Sequence, residues 1–259
     1  NNETNSLTMG AVGRGTTIDH VQASFGGDDG FEWFGGTVDA KYLISFGMWD
    51  DDFDTDFGYR GRVQYGLVVR YHSYADQSGS NAFESDTQGG NGVIAGKCDG
   101  TATFGCTQAV FSNITVIGPR DYNNGLIRFG ETAATRTRAI NANYQNAMHI
   151  RRATMLSIFN SVFTGFPVGL RMDDPVTQTN LNNGNLKLEN NVLMVPSTKV
   201  VGTTTSETAV VFSTSNISSG DATFLQTYWN ANNTTAVVPT GSAAWSPTPG
   251  TPSGSIDPY

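Results

Sequence analysis

The chain has 259 residues, enough for one large all-β domain or two smaller ones; 38 % are hydrophobic, 11 % aromatic and only 15 % charged. A net charge of −8 disfavours sequence-independent binding to nucleic acid or anionic lipid and leaves divalent cations as favoured partners. Low charge with abundant Gly, Asn, Thr and Ser argues against a helical cytosolic enzyme, and no apolar run approaches the roughly 18 residues that span a bilayer.

The opening "NNETNSLTMG" carries no signal peptide and reads like the interior of a domain, so the chain is expected to be mature or truncated. From there, short stretches rich in β-branched or aromatic residues follow one another, each bounded by Gly, Asn or Asp, which is the strand signature. In order they are "NSLTMG" (5–10), "DHVQAS" (19–24), "DDGFEWFGG" (28–36), "KYLISF" (41–46), "DDDFDTDFG" (50–58), "VQYGLV" (63–68) and "SNAFESD" (80–86). After a Gly/Thr-rich loop come "SNITVI" (112–117), "NGLIRFG" (124–130), "NSVFTG" (160–165), "VGLRMD" (168–173) and "ENNVLM" (189–194). Residues 71–79, 86–108 and 131–148 read as loops between them. Within the second loop, Cys98 and Cys106 are the only cysteines. With no His or second Cys pair beside them, they are expected to form a disulfide in an oxidising compartment.

A shift of 22 residues lays "DDGFEWFGG" over "DDDFDTDFG", pairing Asp28 with Asp50, Asp29 with Asp51, Phe31 with Phe53 and Glu32 with Asp54. One apolar column then runs Leu7, Phe31, Phe53, Phe83, Leu126, Leu170, and a second runs Val21, Leu43, Tyr65, Ile114, Val162, Val192. The two alternate along the chain. Two stacked columns with coils of variable length predict an all-β, right-handed parallel β-helix, a solenoid with long loop insertions, over residues 1–195. A β-sandwich does not need one register to recur along the whole chain. Helical periodicity is absent until about residue 221. Residues 196–259 are expected to form a C-terminal capping extension, with a short helix starting near Ser219 and a Pro/Gly/Ser-rich tail. Leu7 already occupies the inward column, so further coils or a partner are expected at the N-terminal edge.

The crowded acids of "GMWDDDFDTDFGYRG" pose the sharpest chemical question. Strand alternation would turn Asp50, Asp52, Asp54 and Asp56 outward and Asp51, Phe53 and Thr55 inward. Stacking then brings Glu32, Asp54 and Glu84 into one column, where carboxylates about 5 Å apart repel by roughly 1–3 kcal/mol per pair. Full solvation, turn-capping bonds, raised pKa values or a bound cation would each relieve this. The cation option names Asp50, Asp52, Asp54, Asp56, Glu32 and Glu84 as ligands for Ca²⁺, a hard ion taking six to eight oxygens. Later coils carry Arg128, Arg151, Arg152 and Arg171, so the column changes sign along the axis. Arg128 and Arg171 could hold an acidic polysaccharide, or pair with Glu131, Asp173 and Asp174. Among the aromatics Trp33, Phe34, Trp49, Phe57 and Tyr59, Trp33 and Trp49 are the candidate sugar-stacking residues, with burial the alternative. His20, His72 and His149 are far apart and lack a nucleophile context. Asp28 with Asp51 or Asp54 could form the carboxylate pair of a hydrolase, and Asp50, Asp54, Glu84 and Arg128 the set of a calcium-dependent lyase.

The longer phrases carry a resemblance. "LTMGAVGRGTTIDHVQASFGGDDGFEWFGGTVDAKYLISFGMWDDDFDTDFGYRGRVQYGL", "DQSGSNAFESD", "FSNITVIGP", "HIRRATMLSIFNSVFTGFPVGLRMD" and "LKLENNVLMV" resemble large secreted β-helix proteins of the Bacteroidetes that often end in a type IX secretion sorting domain. The resemblance covers roughly residues 5–195. It implies export by the type IX machinery, a place outside the cell or on its surface, and further segments on both sides of this chain; it carries over no catalytic residues. Together these readings lead to a secreted β-helix module with a binding or structural role toward glycan, or else a polysaccharide lyase or hydrolase.

Overall fold

The computed structural model describes residues 3–87, 98, 105–119, 140–194, 198–202 and 217–219. Its strands fall into two parallel sheets that face each other across a single interior. The first contains β1 (Leu7–Gly10), β3 (Phe31–Phe34), β5 (Phe53–Asp56), β7 (Phe83–Ser85), β9 (Asn146–Ile150), β12 (Val168–Met172) and β15 (Thr198–Gly202), in that spatial order. The second runs β2 (Ile18–Ser24), β4 (Ala40–Phe46), β6 (Arg62–Val69), β8 (Val110–Ile117), β11 (Val162–Thr164), β14 (Val192–Met194) and β16 (Ile217–Ser219). The short strands β10 (Ser157–Phe159) and β13 (Leu188–Glu189) pair beside β8. Each coil gives one strand to each sheet, which is the parallel β-helix.

The first apolar column matches the predicted one except at one rung. Leu7, Phe31, Phe53 and Phe83 stack in register, and Met148 then fills the slot before Leu170. Leu126 lies outside the described residues, and the stretch expected to be a loop up to 148 gives way to β9 at Asn146. The stacked rings Phe31, Phe53 and Phe83, with Trp33, Tyr59 and Phe111 beside them, are wholly buried. Each such ring contributes about 1.5–3 kcal/mol by leaving water.

The second column differs by one residue at three rungs. Val21, Leu43, Gly66 and Ile114 share the inward slot, followed by Ser161. Tyr65 sits one step earlier, in a left-handed bend shared by His20, Tyr42, Asn113, Asn160 and Asn190. There its ring stacks on Tyr42 at 5.1 Å, and Tyr42 stacks on His20 at 4.5 Å. Glycine stands at 66 because a Cβ there would lie 2.8 Å from Ile114 Cδ1 and 3.2 Å from Phe53 Cζ. At Val162 and Val192 the inward places fall to Ser161 and Asn191, whose side chains bond the Ile114 and Ser161 amides.

The coils do not stop at the boundary expected at residue 195, because β15 pairs with β12 and β16 pairs with β14. Ser219, the expected helix start, ends a strand; the remainder of the proposed cap lies outside the described residues. The one described helix, α1 (Pro175–Asn182), leaves no helical periodicity in the sequence because it is short and carries few apolar residues. Asp174 caps it, accepting from the Thr177 amide at 2.8 Å, and Pro175 follows at the first helical position. Cys98 and Cys106 are bonded to each other and buried against Ala153, Met155 and Val176. No helix among the described residues is long and apolar enough to cross a membrane.

Candidate functional site

The site grows from one corner of the coil, where the chain enters each strand of the first sheet. There the side chain at one rung accepts the backbone N–H of the equivalent residue in the next coil. Asn5 Oδ1 accepts from the Asp29 amide at 3.2 Å, and Asp29 Oδ1 accepts from the Asp51 amide at 2.8 Å. Asp51 Oδ1 takes the Asn81 amide, and Asn81 Oδ1 takes the Asn146 amide at 3.1 Å. The ladder satisfies the amides at this corner with side-chain oxygens. It also explains why acids crowd together in "WDDDFDTD": residues 50–52 precede the strand, so alternation does not run through them.

Each acid of that stretch therefore has its own environment. Asp52 turns inward instead of outward, where it is wholly buried between Arg70 Nε at 2.7 Å and Ser45 Oγ at 2.5 Å. It is removed from the candidate ligands for that reason. Asp51 faces the ladder instead of sharing the Phe53 side. Asp56 bonds the Phe57 amide at 2.6 Å. Burial raises Asp56 and Asp52 to about 6 each, with Asp86 adding to the rise at Asp56 and Arg70 opposing it at Asp52.

On the outer face of the first sheet, register puts Thr8, Glu32, Asp54, Glu84, His149 and Arg171 in one column. Its two halves differ. In the later half every charge is paired. Glu84 meets His149 Nδ1 at 3.0 Å and Arg151 Nη2 at 2.8 Å, while Asp173 meets His149 Nε2 and Arg171 Nε, both at 2.7 Å. Asp86 pairs with Arg151 and Arg152. Burial works to raise Glu84, but the His149 bond and the Arg151 charge outweigh it and hold it below its usual value. Glu84 is thus already compensated by protein groups, and Arg171 is tied to Asp173.

In the earlier half, no lysine or arginine among the described residues forms an ion pair with Asp28, Asp29, Glu32, Asp50, Asp51 or Asp54. Two sets of carboxylates converge: Asp28, Asp29 and Asp50, and Asp29, Glu32 and Asp54, each with oxygens within 4.8 Å of one another. Asp29 belongs to both. Asp50 Oδ1 and Asp54 Oδ1 are buried without a hydrogen-bond partner. Burial and then neighbouring carboxylates push Asp29 and Asp54 well above the usual range. Burial is the chief cause at Glu32 and Asp50 as well, which stand at about 7.

The candidate aromatic residues divide in the same way. Trp33 is wholly buried in the ring stack and is corrected from sugar contact to core; Tyr59 is buried beside it. Trp49 is 44 % exposed and lies parallel to Tyr74 at 5.8 Å. Phe57 is exposed against Phe34. Arg128 lies outside the described residues. Sequence reasoning missed Arg70, His149 and the ladder role of Asp29 and Asp51. The 22-residue pairing of Asp29 with Asp51 was the one available signal.

The family model for the pectate-lyase like beta helix domain matches residues 1–246. No curated protein and no solved structure matches. A model that covers almost the whole chain, together with two parallel sheets in continuous register, means that this protein belongs to the family of pectate-lyase-like β-helix domains.

Proposed function

We propose that this is a secreted, polysaccharide-binding β-helix module whose acidic corner holds a divalent cation, Ca²⁺ by its chemistry. The observation that carries the reading is the aspartate at the two middle rungs of the ladder. Asn5 and Asn81 do the same backbone work with an uncharged amide. Aspartate at 29 and 51 therefore brings two carboxylates that the ladder does not need, and Asp29 belongs to both sets in which three carboxylates converge. Ca²⁺ bonds oxygens at 2.3–2.6 Å, so its ligands lie up to about 5 Å apart, which the two sets allow. Trp49, beside Asp50, offers the exposed ring on which a sugar face would stack. The Cys98–Cys106 disulfide supports an oxidising, extracellular location.

The test is a thermal melt against pH with chelator or millimolar Ca²⁺. Glu32 and Asp50 stand near 7 when folded, against ordinary values of 4.5 and 3.8. Groups raised on folding contribute stability that is full below the unfolded pKa and is lost as pH rises through the folded one. In chelator, Tm should therefore fall between about pH 5 and pH 8, by roughly 5 °C. Calcium should restore it at pH 8 and add little at pH 4.5, where protons occupy the same oxygens. A Tm indifferent to Ca²⁺ at pH 8 would remove the cation from the proposal.

A second reading, glycoside hydrolysis, is favoured by one observation: Asp54 and Glu84 are neighbours in register, with environments that push their pKa values in opposite directions. Such a pair supplies an acid and a base for glycosidic cleavage. Under this reading, chelated protein releases new reducing ends from a polysaccharide panel and Glu84→Gln loses at least 100-fold of that rate, on the order expected for an acid–base group. Calcium-dependent release of unsaturated ends would instead indicate elimination.

A further inference from the structure

Arg70 follows β6, level with Gly47 at the start of the loop that leads into β5, and its side chain is wholly buried at the acidic corner. Its guanidinium spends its donors in four directions. Nε meets Asp52 Oδ2 at 2.7 Å, Nη1 the Met48 carbonyl at 2.7 Å, and Nη2 both the Asp50 carbonyl and, at 2.7 Å, the Asn81 carbonyl. The Tyr144 ring covers it, 5.7 Å from centroid to guanidinium carbon. Two of those carbonyls belong to the loop that presents Asp50 and Asp51. The third belongs to the next coil, at the residue whose amide Asp51 holds.

We infer that Arg70 is the positioning residue of the acidic corner, setting the carboxylates of Asp50 and Asp51 against Asp28 and Asp29 by clamping the 48–52 loop to the following coil. The inference rests on the cation reading above and extends it to a residue that touches no ligand. A charge partner for Asp52 alone would require one contact. The remaining three go to carbonyl oxygens of the site-forming backbone, and a planar fork is the side chain that can reach them together. Ser45 makes the control, because it supports the same Asp52 carboxylate at 2.5 Å without touching the loop carbonyls.

The experiment measures Ca²⁺ affinity at pH 8 by isothermal titration, alongside Tm, for the wild type, Arg70→Lys and Ser45→Ala. Lysine keeps the charge and loses the fork. Arg70→Lys should weaken Ca²⁺ binding at least tenfold, whereas Ser45→Ala should lower Tm but keep affinity within twofold. If Arg70→Lys does not fold, the double variant Arg70→Gln with Asp52→Asn removes the buried charge pair altogether. It too should lose at least tenfold. Wild-type affinity in a folded Arg70 variant, or an equal loss in Ser45→Ala, would make Arg70 a structural residue only and overturn the inference. A wild type that binds no Ca²⁺ would overturn the cation reading itself, and the inference with it, before any variant is compared.

Discussion

Phe53→Ala is expected to lower unfolding free energy by about 3–5 kcal/mol, the range for removing a buried aromatic ring. In a chain of this size that is a fall of roughly 10 °C in Tm, read by calorimetry or a denaturant midpoint. Phe53 stands at the centre of the stack. Its ring lies 5.7 Å from Phe31, 5.1 Å from Phe83 and 5.7 Å from Phe111. Gly66 packs on the same ring from the opposite sheet, so the space left by alanine would be walled by both sheets. Strands held in register on both sides cannot close that cavity, so the loss should sit at the upper end of the range. Phe57→Ala is the contrast, since its ring is about half exposed and its loss should stay below about 1 kcal/mol. Equal effects at 53 and 57 would contradict the assignment of the inward column.

Asp52→Ala is expected to cost a similar 3–5 kcal/mol by a different route. Removing one partner of a buried pair leaves the other charge uncompensated in the interior. Arg70 Nε and Asp52 Oδ2 meet at 2.7 Å, and both side chains are fully buried. The Asp52 carboxyl is raised, chiefly by burial, to about 6 even with the guanidinium beside it. Replacing both members, as Asp52→Leu with Arg70→Met, should recover at least half of the loss, because no ion is then buried. A double-mutant cycle in urea measures this directly. Purely additive losses would mean that the two side chains do not act as a pair.

What could be read from the sequence follows from what each position has to be. Inward slots of the first sheet hold Leu7, Phe31, Phe53, Phe83, Met148 and Leu170, all large apolar residues that mark the register by their size. Inward slots of the second sheet hold Gly66, Ser161 and Asn191, which look like turn residues. The larger Tyr65, Val162 and Val192 one step away therefore drew the register toward themselves. Alternation failed at Asp52 because the rule belongs to strands, and β5 begins only at Phe53. Arg70 was invisible for another reason. Its partners at 48, 50, 52 and 81 share no periodicity with it, and only the closed coil brings them together. The uncompensated acids were legible as a cluster. That Glu84 would be taken by His149 and Arg151 was not, because those residues lie 65 and 67 positions further along.

The corner ladder also bears on how such a chain can change over time. Each rung grips only the next coil, across 24, 22, 30 and 65 residues in turn. The spacing is free to vary because the grip depends on one side-chain oxygen and one amide, not on the length of chain between them. Whole excursions can lengthen, and coils can be duplicated or lost, without altering the joints that remain. The two aspartate rungs are the exception. Their carboxylates converge with others from two successive coils, so a change of spacing between those two coils would break the acidic cluster as well as the joint.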